Sequence, residues 1–219
     1  MMNQTWTRTE LFPPSLKQSF GVFAGSLLLA LIVAVVFGTM AVNAFGAKAS
    51  WYLVRSSGTV GYLLLAGSTI WGLVLSTQVA KKLVPGAPAL AMHSALSWLA
   101  VFTAGAHALL LLFDNYYTYG LLDVLLPFTG PYRPFWVGLG ILGLYLALLT
   151  SLSFQWRRQL GMGRWRKLHK LTFVSYAFVT LHGLMAGTDS ALPGMRLVYI
   201  GSALLVLLLT NYRLLAASR

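Results

Sequence analysis

The sequence has no cysteine. That excludes disulfides, thiolate metal sites and iron–sulfur clusters held by thiolate, and it leaves the redox compartment unmarked. Charge is scarce. Asp, Glu, Lys and Arg make up 9% of the 219 residues, against about 25% in an ordinary soluble domain. Acids are scarcest, 4 against 16 Lys and Arg, for a formal net charge of +12. None of the short segments expected on the cytoplasmic side carries a glycine-rich nucleotide fingerprint such as GxGxxG after a strand. These absences argue against a soluble enzyme, a disordered chain and a surface-charged binding module. What is abundant is apolar surface, 58% of the residues.

The few charges divide the chain into uncharged blocks. They cover 18–47, 56–80, 83–113, 134–156, 171–188 and 197–212, with 30, 25, 31, 23, 18 and 16 residues. A membrane-spanning helix needs about 20 apolar residues, with a range of about 17–25. Five blocks qualify directly. The sixth qualifies if Pro193 opens it and Leu214 and Leu215 extend it. The expectation is an all-α, polytopic membrane protein: one six-helix bundle over 1–219, with spans at about 20–45, 58–80, 88–113, 134–156, 169–187 and 193–215. The first span is twice the length of a signal h-region, about 7–15 residues, so it is expected to be retained. No internal repeat is visible.

The surplus cations then become a topology signal rather than a nucleic-acid footprint. With the N-terminus inside, twelve Lys and Arg fall on the cytoplasmic side and four (Lys48, Arg55, Arg133 and Arg196) on the outer side. Three acids, Asp114, Asp123 and Asp189, are also outside. This predicts a multi-pass protein of the cell membrane with both termini cytoplasmic. The longest outer loop, between the third and fourth spans, is rich in Tyr and includes an apolar stretch at 121–128 too short to cross. Such a stretch suits the membrane interface, where Tyr is favoured.

The four histidines are the residues that point to chemistry. His93 and His107 lie on the third span, His169 and His182 on the fifth. Both spans run from inside to outside. Separations of 14 and 13 residues correspond to about 21 and 19.5 Å along a helix. The spacing predicts that His93 meets His169 near the inner face and His107 meets His182 near the outer face. One intramembrane His is ordinarily a hydrogen-bonding residue; four on two helices at matched spacing point to function. Imidazole is an axial ligand of haem iron, and two pairs predict two b-type haems. Zinc would need further ligands, and a proton relay would recruit intramembrane carboxylates; neither span interior has an acid or Cys. On an ideal helix 14 residues bring His107 back to within roughly 40° of His93, but 13 leave His182 roughly 140° from His169. The fifth span must then be overwound locally, or meet the two haems from different sides.

With these residues in view, the chain resembles the ferric-reductase-like transmembrane domain, shared by bacterial haem membrane subunits, ferric reductases and NADPH oxidases. The His-x13-His and His-x12-His pairs carry the resemblance. So do Gly163-Arg164-Trp165-Arg166-Lys167-Leu168-His169, Tyr132-Arg133-Pro134 and the run from His182 through Gly183-Leu184-Met185-Ala186-Gly187-Thr188 to Asp189. It extends from about Tyr52 to the end of the last span. It implies six helices, two haems and electrons passing from the cytoplasm to the outer face. It also implies an oxidoreductase component that needs a donor, because the flavin and NADPH domains of the larger members are absent from these 219 residues. A cytoplasmic flavin reductase or a membrane quinol fits that role. The outer acceptor is open among a ferric chelate, oxygen, a quinone and a periplasmic protein such as a methionine sulfoxide reductase. A quinone-linked cytochrome b is the alternative, although its ligands usually sit on the second and fourth helices. A transporter, a different class, would show paired discontinuous helices and intramembrane charges.

Haem propionates call for cationic partners. Arg55, Arg133 and Arg196 are the outer candidates, Arg55 also being the one that resembles an arginine found near the outer haem in similar proteins. On the inner side the candidates are Lys81, Lys82, Arg164, Arg166, Lys167 and Lys170, which equally serve as topology determinants and anionic-lipid contacts. Trp98, Phe102 and Phe178 are candidates to stand between the haems, or else to pack the core. Gly105, Gly183 and Gly187 are candidates to make room for the macrocycle.

Overall fold

The computed structural model describes residues 28, 32, 35–37, 39, 40, 43, 46–77 and 86–217. The span expected at 20–45 lies largely outside the described residues, as do Arg8, Lys17, Lys81, Lys82 and Arg219. Among the described residues the chain is helical and contains no strand.

Helix α1 (Ala49–Leu75) and helix α2 (Gly86–Leu110, extended by a 3-10 turn to Phe113) pack along each other. A short helix, α3 (Leu121–Leu125), lies in the outer loop, and α4 (Pro134–Ser153) follows. Next come α5 (Arg157–Leu160), α6 (Met162–His169), α7 (Leu171–Ala186) and α8 (Pro193–Ala217). Helix α4 packs along α7, α8 leans on α1, and α2 touches α4, so the two pairs close into one bundle. Pro134 and Pro193 open their helices at the first position, where a missing N–H costs nothing and the ring presets φ.

Among the described residues four helices are long and apolar enough to cross a bilayer: Ala49–Leu75, Gly86–Phe113, Pro134–Ser153 and Pro193–Ala216. The fifth expected span, 169–187, is realised differently. Its continuous part, α7, has 16 residues, about 24 Å at 1.5 Å per residue, short of the roughly 30 Å hydrocarbon core. His169 belongs to α6, and the chain tightens at the junction into i→i+3 bonds, Lys170 N–H to the Lys167 carbonyl and Phe173 N–H to the Lys170 carbonyl. That local overwinding is one of the two solutions the 13-residue spacing allowed.

The second helix also departs from expectation. It was expected at 58–80, bounded by the charge of Arg55, yet it starts at Ala49 and carries Arg55 within it. The charge does not end the helix because it is compensated: the Arg55 guanidinium lies 3.9 Å over the Trp51 ring and donates from Nε to Asp189 Oδ2 at 3.0 Å.

Hydroxyls inside the spans bond back to their own helices. Thr69, Ser97, Thr150, Thr180 and Thr210 each donate to the carbonyl four residues earlier. This satisfies polar groups that lipid cannot. The core joins α1, α7 and α8 through Tyr62, Ala66, Leu73, Tyr176, Tyr199 and Val206. Outward-facing leucines on α8, such as Leu197, Leu207 and Leu208, are mostly exposed and suit lipid contact.

Candidate functional site

Two cavities follow one another along the bundle. The inner one, about 1090 Å³, is lined by His93 and His169; the outer one, about 450 Å³, by His107 and His182. Leu65, Val101 and Ala147 line both and form the partition between them. The histidines are paired as the spacing predicts. The ring centres of His93 and His169 are 6.2 Å apart, and so are those of His107 and His182. The rings within each pair are nearly perpendicular, at 83° and 73°.

Three of the rings are held from behind by helix carbonyls. His93 Nδ1 lies 3.1 Å from the Ser68 carbonyl, His107 Nδ1 2.9 Å from that of Val54, and His182 Nδ1 3.0 Å from that of Trp136. A carbonyl only accepts, so Nδ1 carries the proton and donates. In a neutral ring this leaves the Nε2 lone pair as the acceptor. The same arrangement is the usual support of a metal-bound imidazole, where the second nitrogen donates to a carbonyl or carboxylate. The fourth ring differs. His169 Nδ1 is buried with no hydrogen-bond partner, and the ring is stacked on Trp165 at 5.1 Å and 21°.

The spacing of each pair suits a shared metal. A metal–nitrogen bond of about 2.0–2.1 Å, with about 1.1 Å more from nitrogen to ring centre, puts two rings on opposite sides of one ion about 6.2 Å apart. Among the described residues no three His, Cys, Asp or Glu side chains gather as a chelating group. Two imidazoles therefore suit an ion whose other positions are filled by a macrocycle. The walls around the outer pair are predominantly apolar helix faces, which suits the body of a porphyrin, whereas the inner pair stands among hydroxyls such as Ser68, Ser97, Thr150 and Ser175 as well as apolar side chains.

The charged ends of the two cavities have opposite character. The inner cavity opens among Arg157, Arg158, Arg166, Lys167, Lys170 and Arg213. The outer one meets Arg55 together with Asp114, Asp123 and Asp189. Arg55 therefore faces the outer cavity already paired with Asp189. Arg133 lies outside that cavity: it is exposed, holds a left-handed backbone at φ 41°, and caps α7 by donating to the Met185 carbonyl. Arg196 is likewise exposed and donates to the Ser190 carbonyl. Arg164 does not line the inner cavity. Over the outer cavity the loop presents Tyr119, whose phenol burial pushes up to about 12, so it stays protonated.

Trp98 lines the inner cavity, stacked on Phe102 at 5.5 Å. Phe102 and Phe178 line neither cavity. Gly105 faces open space, whereas Gly183 lies under the Tyr199 ring. The glycines that matter to the histidines are others. Gly58 abuts His107, Gly72 abuts His93, and Gly140 abuts His182. Their signal in the sequence was faint but present: Gly58 and Gly72 are 14 residues apart, as are His93 and His107.

No protein-family model, curated protein or solved structure matches the chain.

Proposed function

We propose that this chain is a six-helix membrane cytochrome that moves electrons from the cytoplasmic to the outer face through two bis-histidine b-type haems. The observation that carries this reading is the pair of 6.2 Å histidine couples, each lining its own cavity, stacked along one bundle. The resemblance to the ferric-reductase-like transmembrane domain, carried by the same histidine spacings together with the loop motifs, agrees with it. Bound haem iron would supply the one-electron chemistry.

The protein's part is to hold and insulate. His93 and His169 would ligate the inner iron, His107 and His182 the outer one. The Ser68, Val54 and Trp136 carbonyls keep three Nε2 lone pairs available. The inner basic residues suit propionates and set the topology. The partition of Leu65, Val101 and Ala147 keeps water from the path between the two sites. In this reading the span at 20–45 and α7 complete the six helices, and both termini are cytoplasmic. The donor is a cytoplasmic flavin reductase or a membrane quinol. The outer acceptor is ferric iron, oxygen or a periplasmic protein.

Haem content per chain tests the reading most directly. The expected preparation is red, with two haems b per chain and a low-spin spectrum. A colourless, folded preparation from haem-replete cells would sink it.

A further inference from the structure

Three of the four histidine supports are built alike. In each, the carbonyl of one residue accepts from His Nδ1, and the residue four positions later is glycine: Val54 with Gly58, Ser68 with Gly72, Trp136 with Gly140. Residues i and i+4 lie one above the other on a helix face. The glycine thus forms a notch directly beside the accepting carbonyl, and the imidazole ring sits in it. A methyl group on Gly72 would stand 2.9 Å from His93 Cε1, one on Gly58 3.0 Å from His107 Cε1, and one on Gly140 2.8 Å from His182 Cγ and Nδ1. The contacts at Gly72 and Gly140 require a shift and the one at Gly58 a displacement of a few tenths of an ångström, and any displacement of the ring away from the notch strains its bond to the carbonyl beside it. His169 has no such notch, and its Nδ1 has no partner.

We propose that Gly58, Gly72 and Gly140 are positioning residues, which set the orientation and the Nδ1–H tautomer of His107, His93 and His182 in the folded chain itself. The inner site is then built from one notched and one unnotched histidine, the outer site from two notched ones. The tautomer follows from geometry alone; its consequence for haem rests on the two-haem reading. Supporting groups of this kind typically change metal affinity by 10–100-fold when removed. Gly67 and Gly201 are internal controls, because a methyl group on either meets nothing within 4 Å and neither lines a cavity.

The experiment has two arms. In the first, nitrogen-15 NMR reads the histidine tautomers of the full chain produced without haem. His93, His107 and His182 are expected as Nδ1–H tautomers, and Gly72→Ala, Gly58→Ala and Gly140→Ala should each disturb only their own histidine. In the second, haem retention is measured in the loaded protein. Gly72→Ala should weaken the inner haem by about 10- to 100-fold, and Gly58→Ala and Gly140→Ala the outer one. Gly67→Ala and Gly201→Ala should keep both haems and all tautomers. Finding His93, His107 and His182 protonated at Nε2 in the unsubstituted chain would overturn the proposal without any variant having to fold. So would notch variants that match the controls in tautomer. If the tautomers behave as expected but the chain takes up no haem, the cytochrome reading fails and the notches stand.

Discussion

At the residue scale, the pairing of histidines makes the sharpest demand. In the two-haem reading each site needs both of its rings, so His93→Ala and His169→Ala should each halve the haem content by emptying the inner site. His107→Ala and His182→Ala should do the same at the outer site. Redox titration of the remaining haem distinguishes the two classes; a His93 variant and a His182 variant that lose the same haem would refute the pairing. Arg55 makes a second demand. It faces the outer cavity as one half of an ion pair with Asp189, both partly exposed. Removing the cation unmasks the carboxylate, so Arg55→Ala should lower the outer potential, and Asp189→Asn should raise it. For a partly solvated pair about 0.5–1 kcal/mol is reasonable, equivalent to about 20–40 mV for one electron. The inner potential should not move in either variant.

At the scale of elements, the junction between α6 and α7 decides how the inner site differs from the outer. His169 ends one helix and the next begins two residues later. With no carbonyl behind Nδ1, the ring is restrained by its stack on Trp165. An aromatic pair of this kind contributes about 0.5–1.5 kcal/mol, a factor of about 2–12. Trp165→Ala should therefore release the inner haem more readily by that factor, with the outer haem unaffected, and Trp165→Phe should restore most of the difference. Haem loss to a scavenger such as apomyoglobin measures both rates. Equal loss from the two sites in Trp165→Ala would show that the stack has no such role.

At the scale of the whole molecule, the inner cavity ends among cations, and the chain's GxGxxG string, Gly138–Gly143, lies inside the apolar helix α4 rather than between a strand and a helix, where a nucleotide fingerprint belongs. In the proposed cytochrome reading, reducing equivalents arrive from another protein or from quinol. The purified chain mixed with NADH or NADPH alone should keep its haems oxidised, while dithionite reduces both. Adding a flavin reductase with its flavin, or a quinol, should restore reduction. Rapid reduction by NADPH and the pure chain, followed by absorbance, would remove the need for a partner.

The membrane class, the positions of most apolar helices and the pairing of the histidines were legible in the sequence. Hydrocarbon demands long uncharged blocks, and equal residue counts along two helices give matching axial rises. Charge was a poor guide to helix ends where a partner neutralised it, as Asp189 does for Arg55 inside α1. Ideal-helix arithmetic does not carry across Lys170, because the chain leaves one helix, makes i→i+3 bonds and enters the next there. The supporting carbonyls were not legible at all, since every residue has one. Only the packing of α1 against α2 and of α4 against α7 decided that Val54, Ser68 and Trp136 serve the rings. The same packing set Gly58, Gly72 and Gly140 beside them and left His169 without an equivalent.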